Sequence, residues 1–238
     1  MNKSPKTTSC PVALTPGFML DETLWSAFRK HLPTDWLTLD APLYGGQTIP
    51  EMARYIADNL PQRFVLIGFS LGGYIARQVA ADYPERVKAL ILVASSLRED
   101  TEEQRKTKLQ AVQALTPDRF RGLSNSAIAR SLHPDRASDT ALVDYIKEMS
   151  RRLGYKTLAT QSALDRAEVP ASTIQCPTLV IASTNDALRS REEADELVEA
   201  IPDAALKVIE DSGHMIPLEQ PRELAETIVH WLATLTVR

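Results

Sequence analysis

Cysteine is nearly missing. Cys10 and Cys176 are the only two in 238 residues, and they form no C-x-x-C pair. A disulfide scaffold and a cysteine-built zinc or redox motif are therefore excluded. The default expectation is two reduced thiols in a cytoplasmic protein. Long hydrophobic runs are missing too: no segment approaches the ~20 apolar residues of a membrane span. Residues 1–9 are polar, and the roughly 7–15-residue apolar core of a leader does not follow them. Nor is there an excess of positive charge. The 27 Lys and Arg against 31 Asp and Glu leave a net charge of −4, which argues against nucleic acid or an anionic membrane as the main partner. There is no internal repeat and no low-complexity stretch, and nothing calls for a metal or an organic cofactor.

What is present is an ordinary globular composition, 44% hydrophobic, in a chain long enough for one large α/β domain or two small ones. A core of that size needs no staple. Short apolar runs at Pro11–Leu14, Trp36–Leu39, Phe64–Ile67 and Val87–Ala94 read as strands. Helices are expected between them: one after Asp21 with Leu24, Trp25 and Phe28 as its stripe, and one opened by Thr48 and Glu51 at capping-box spacing and running to Leu60. Such alternation predicts a mostly parallel sheet with helices on both faces. From Arg98 to Val169 the pattern changes to helices and turns, with capping-box spacing at Thr101 and Gln104 and a helical stripe over Ala137–Leu153. Alternation resumes with strands at Thr178–Ala182 and Ala205–Ile209, a capping box at Ser190 and Glu193, and a last helix opened by Pro221.

One stretch organises the rest. Phe64–Ile67 is a strand, and Ile75, Val79 and Tyr83 have helical spacing. Between them lies Gly68-Phe69-Ser70-Leu71-Gly72, a G-x-S-x-G pentapeptide in the strand-to-helix setting that gives it meaning. Side chains at positions 68 and 72 would collide as strand and helix close on each other. The turn strains Ser70 and pushes its hydroxyl above the sheet. It also aims the backbone N–H groups at the helix start toward negative charge developing there.

A serine hydroxyl needs a base, and the base needs a partner to fix its tautomer. Of four histidines, His31, His133 and His230 sit near or within helices or beside a proline. His214 alone follows a strand end on a loop, after a glycine. All strand C-termini of a parallel sheet share one edge, so His214 and Ser70 are expected on the same rim. Asp186, after the Thr178–Ala182 strand, is the candidate acid; Glu99, Asp100 and Asp211 are rivals. The oxyanion donors expected are the amides of Leu71 and Phe18, with Met19 as the alternative to Phe18. Arg119, Arg121, Arg151 and Arg152 read as solvated surface rather than as an anion site.

With Gly-Phe-Ser-Leu-Gly-Gly, Pro16-Gly17-Phe18-Met19, Asp186 and Ser-Gly-His214-Met in hand, the chain resembles the α/β-hydrolase superfamily, and within it the compact esterases and acyl hydrolases. The resemblance implies an α/β-hydrolase core at 1–97 and 170–238, and a helical cap at 98–169 over Ser70. It implies a Ser70–His214–Asp186 triad acting on a small or medium carboxylic ester or thioester. Only about ten residues precede the first loop, so six strands are expected where the family usually has eight. Two further departures are Pro16 in place of the family's common histidine, and Ser183 in place of the glycine that usually opens the acid loop. An acyltransferase, a ligand-binding sensor, carbon–carbon hydrolysis and perhydrolysis are the alternative uses of such a site.

Overall fold

Strands buried on both faces carry unbroken apolar runs, and here they do. The structure is a computed structural model and describes residues 10–235; the polar stretch 1–9 lies outside the described residues. β1 is Val12–Thr15, fully buried. Asp21 accepts from Thr23 N–H and caps a 3-10 turn, Glu22–Trp25, which runs into α1, Ser26–Arg29. β2, Thr38–Asp40, is a short edge strand. α2, Ile49–Asn59, is capped by the Thr48 hydroxyl. Its expected capping box is only half formed, because the Glu51 carboxylate takes Gln47 N–H rather than the cap's own amide. β3 is Phe64–Phe69 and α3 is Leu71–Asp82, starting at the residue after Ser70. β4, Val87–Val93, exposes only Lys88.

No strand lies between Val93 and Thr178 among the described residues. The segment holds α4, Glu102–Gln113, opened by the Thr101–Gln104 capping box, and α5, Asn125–Ser131. α6, Thr140–Ala163, is longer than the apolar spacing indicated. It breaks at Gly154, whose φ of 76° and ψ of 176° leave the helical region. A helix reading therefore stops near Leu153 although a second helical segment follows at once. β5, Thr178–Ser183, leads to α7, Arg191–Ala200, with a complete Ser190–Glu193 capping box. β6 is Ala204–Ile209, followed by α8, Ile216–Glu219, and α9, Pro221–Leu235.

The six strands form one sheet in the order β2-β1-β3-β4-β5-β6, every pair parallel. Crossovers between parallel strands are right-handed. The connection from β1 to β2 runs one way along the sheet, and every later one runs the other way. The helices consequently fall on opposite faces. Trp25 of the 3-10 turn and Phe28 of α1 pack with Leu224, Ile228 and Leu232 of α9 against Val12, Ile67, Ile91 and Ile181. On the other face Met52 and Ile56 of α2, Ile75 and Val79 of α3 and Leu197 of α7 pack against Ala13, Leu66, Leu92 and Val180. The alternate residues of each strand thus serve two cores.

The chain reverses its direction of travel at β1. The switch point lies between β1 and β3, where Thr15 pairs with Gly68. In open parallel sheets the crevice beyond the strand C-termini at such a point is the ligand site. The loops that meet there are Pro16–Met19 and Ser70–Leu71.

Candidate active site

Ser70 sits at φ 51°, ψ −113°, a conformation that costs an ordinary residue about 1–3 kcal/mol and persists only where its surroundings impose it. Ser70 N–H donates to Val93 O at 2.8 Å, and Ser70 O accepts from Gly73 N–H and from the Ser95 hydroxyl, both at 3.0 Å. Close approach explains the two flanking glycines. A Cβ on Gly72 would stand 2.3 Å from Pro16 O, and one on Gly68 would stand 2.6 Å from Gly72 O. Strand, helix and the first loop are in backbone contact, and this wedge lifts the Ser70 side chain out of the sheet.

Two other strand ends bring their side chains to it. His214 Nε2 lies 2.9 Å from Ser70 Oγ, and His214 Nδ1 lies 2.7 Å from Asp186 Oδ2. The other Asp186 oxygen accepts from Leu188 N–H at 2.8 Å and Arg189 N–H at 2.9 Å. The His214 and Asp186 side chains are 5% and 2% exposed, so water competes little for these bonds. A carboxylate at Nδ1 requires a proton there, which leaves Nε2 to accept from the Ser70 hydroxyl. The loop carrying His214 is tied down on both sides. Its amide donates to Ser131 O in α5 at 2.8 Å, and Gly213 N–H donates to the Glu219 carboxylate at 3.0 Å.

Leu71 N–H is the first amide of α3, where no intrahelical acceptor exists, and Ser70 makes no side-chain cap. Phe18 lines the same cavity as Ser70, Leu71 and His214. Met19 is corrected as the alternative donor: its N–H is already committed to Gln161 Oε1 of α6 at 2.8 Å, and the bond is buried. Gln161 thereby fastens the first loop to the helical segment. Gln161→Leu should leave that amide without an acceptor, costing about 1–3 kcal/mol in urea unfolding. Stability unchanged from the parent would show that Gln161 does not hold the loop.

The cavity over Ser70 measures about 410 Å³, within the ~300–1,000 Å³ of small-molecule sites. Hollows of about 810 and 840 Å³ occur elsewhere, but neither contains Ser70, His214 or Asp186. Chemistry rather than size therefore selects the smaller one. Among the described residues, no three His, Cys, Asp or Glu side chains are arranged to hold a metal ion.

The family model for the alpha/beta hydrolase fold matches residues 41–221, well over half the chain. The chain belongs to the α/β-hydrolase fold family. Its curated relatives include the pimeloyl-[acyl-carrier protein] methyl ester esterase of Salmonella heidelberg, 36% identical over 96 residues. That match takes in 37% of this chain and 38% of the relative, so the chain spans well under half the length of the curated relatives it matches. A malate-bound thermophilic esterase from Thermogutta terrifontis superposes with a TM-score of 0.80 at 28% identity, over 95% of this chain and 90% of that one. The enol-lactonase of Burkholderia xenovorans LB400 shares the fold, with a TM-score of 0.82 at 20% identity over 95% and 93%.

In this α/β-hydrolase His214 Nδ1 bonds to Asp186 rather than to the rival carboxylates of Glu99, Asp100 and Asp211. Asp100 pairs with Lys108 and Arg166. Asp211 stands at a strained φ of 50°, and its carbonyl accepts from Gln220. His133 caps a short turn by accepting Asp135 N–H. Arg152 bonds to Asp21, and Arg151 to Glu148; none of Arg119, Arg121, Arg151 and Arg152 lines the cavity over Ser70. Three residues that position the site carry no signal in the sequence. They are Gln161, Ser131 and Glu219, the last accepting both Gly213 N–H and His133 N–H.

Proposed function

We propose that this α/β-hydrolase is a serine hydrolase that cleaves a small or medium carboxylic ester or thioester through an acyl-enzyme. The observation that carries the reading is the unbroken hydrogen-bond chain from Asp186 through His214 to Ser70, standing at the switch point of the sheet. His214 Nε2 takes the Ser70 proton as Oγ attacks the acyl carbon. Asp186 holds the ring and stabilises the imidazolium. The Leu71 and Phe18 amides receive the oxyanion. His214 then returns the proton to the leaving alcohol or thiol. A water, deprotonated by the same imidazole, releases the acid and restores Ser70.

The esterase names of the curated relatives and of the Thermogutta structure support the ester class. Residues 98–169 act in this reading as a cap on the core formed by 1–97 and 170–238. Leu123, Ala127 and Ile128, contributed by α5 and the loop before it, lie in the Ser70 cavity and support it. A cytoplasmic setting accords with two free thiols. Labelling with a fluorophosphonate tests the mechanism. One equivalent should attach, on the peptide carrying Ser70, and excess p-nitrophenyl ester present with the reagent should slow the labelling by competing for the site. Absence of labelling under conditions that modify a known serine esterase would refute the reading.

A further inference from the structure

The cavity over Ser70 is more cationic than a neutral ester requires. Lys108 from α4, Arg130 from α5, Arg166 from the segment after α6 and Arg189 from the acid loop all line it, against the single carboxylate of Asp100 outside the Asp186–His214 pair. That carboxylate is shared: it bonds to Lys108 and stands 3.5 Å from Arg166. Arg189 has Glu193 at 3.3 Å, but Glu193 also accepts from the Ser96 hydroxyl and from Ser190 N–H.

The guanidinium groups are not spent. Arg166 is 9% exposed, packs over the Tyr74 ring at 5.3 Å, and its buried Nε has no partner among the described residues; the same holds for Arg189 Nε. Arg29 Nε and Arg77 Nε, which do not line this cavity, are in the same state, so what sets Arg166 apart is that the carboxylate it faces, Asp100 at 3.5 Å, is shared with Lys108. The crowding shows in the neighbours. Burial and the Arg166 charge pull the Lys108 ammonium below its usual range. Burial raises the Asp100 carboxyl, yet Lys108 and Arg166 hold it below the usual carboxylate range. An anion is the ligand that answers four cationic side chains gathered at one cavity around a single shared carboxylate.

We propose that Arg166, Arg189 and Lys108 form an anion subsite, so that the substrate is an ester or thioester carrying a second group, a carboxylate or a phosphate, that seats against them while Ser70 attacks the acyl carbon. The substrate class rests on the serine-hydrolase reading; the subsite itself does not.

Two matched esters test it: p-nitrophenyl hydrogen glutarate, and p-nitrophenyl 5-methylhexanoate, in which an isopropyl group replaces the carboxylate. The wild-type kcat/KM should favour the anionic ester by about ten- to a hundred-fold. Arg166→Gln should cut that ratio at least ten-fold. If this buried variant does not fold, Lys108→Gln, at a half-exposed position, should still lower the ratio several-fold. A wild-type ratio of one or less, or a ratio unmoved in a folded variant, overturns the subsite. Should neither ester be cleaved, the hydrolase reading fails, and binding decides the subsite. Glutarate or inorganic phosphate should then raise the wild-type Tm, and the rise should vanish in Arg166→Gln. Stabilisation by phosphate alone assigns phosphate as the anion; stabilisation by neither overturns the subsite.

Discussion

Ser70→Ala is expected to lower kcat/KM by about four to six powers of ten for any ester this protein cleaves. In the proposed mechanism this hydroxyl is the attacking group, with the imidazole 2.9 Å away. What should survive its loss is binding and the proposed oxyanion amides, which act without it but form no acyl-enzyme. The fold should be indifferent. The Ser70 side chain does not cap α3, and the bonds that enforce its backbone use only main-chain atoms of residue 70. A melting curve within a few degrees of the parent, with activity gone, is the expected pair of results. The double variant Ser70→Ala, His214→Ala sharpens the test. Groups that act as one unit lose little more together than singly, so it should be no worse than Ser70→Ala. Near-parental turnover by Ser70→Ala would sink the mechanism, and a double variant far below the single would mean that His214 works elsewhere.

The parts of the site that were legible in the sequence are those whose constraint is local or topological. Gly68 and Gly72 are visible because strand, turn and helix meet within one pentapeptide, and the collision they avoid is between near neighbours in the chain. Asp186 and His214 stand out for a different reason: a parallel sheet collects its strand C-termini on one edge, so a histidine and an aspartate just past two strand ends are brought to Ser70 by topology alone. The six parallel strands followed from alternation in the same way.

What stayed hidden depends on contacts between distant, generic residues. Met19 and Gln161 are 142 positions apart, and a glutamine in a polar helix has no local mark that it completes a buried bond. The loop amide at Met19 looked free for this reason. Glu219, inside Ile216–Glu219, reads as a surface carboxylate until the fold shows two amides converging on it. The cations show the same bias. Arginines close in sequence, at 119 and 121 or at 151 and 152, attract the eye because sequence displays proximity along the chain. Lys108, Arg166 and Arg189 lie on three separate segments, and only folding gathers them at one cavity.

Asp186→Asn is expected to cost about 10⁴-fold in kcat, through a tautomer rather than through a lost contact. One Asp186 oxygen is fixed as an acceptor by two backbone donors, Leu188 N–H and Arg189 N–H. An asparagine must place its carbonyl oxygen there, because its amide would face those donors with hydrogens of its own. The amide nitrogen is then directed at His214 Nδ1, where the carboxylate now stands at 2.7 Å. The imidazole must offer a lone pair to it, so its proton moves to Nε2. Nε2–H would donate to Ser70 Oγ instead of accepting from it, and the base is gone while every backbone bond of the loop persists. Stability should change little. Asp186→Ala separates the two roles: it removes the misplaced donor and frees the imidazole to take either tautomer, but it also strips two amides of their acceptor. Alanine should therefore cost less activity than asparagine and more stability, by about 1–2 kcal/mol in urea unfolding. Activity of the asparagine variant within ten-fold of the parent, or a reversed order of the two variants in either measurement, would remove Asp186 from the role given to it and reopen the search for the carboxylate.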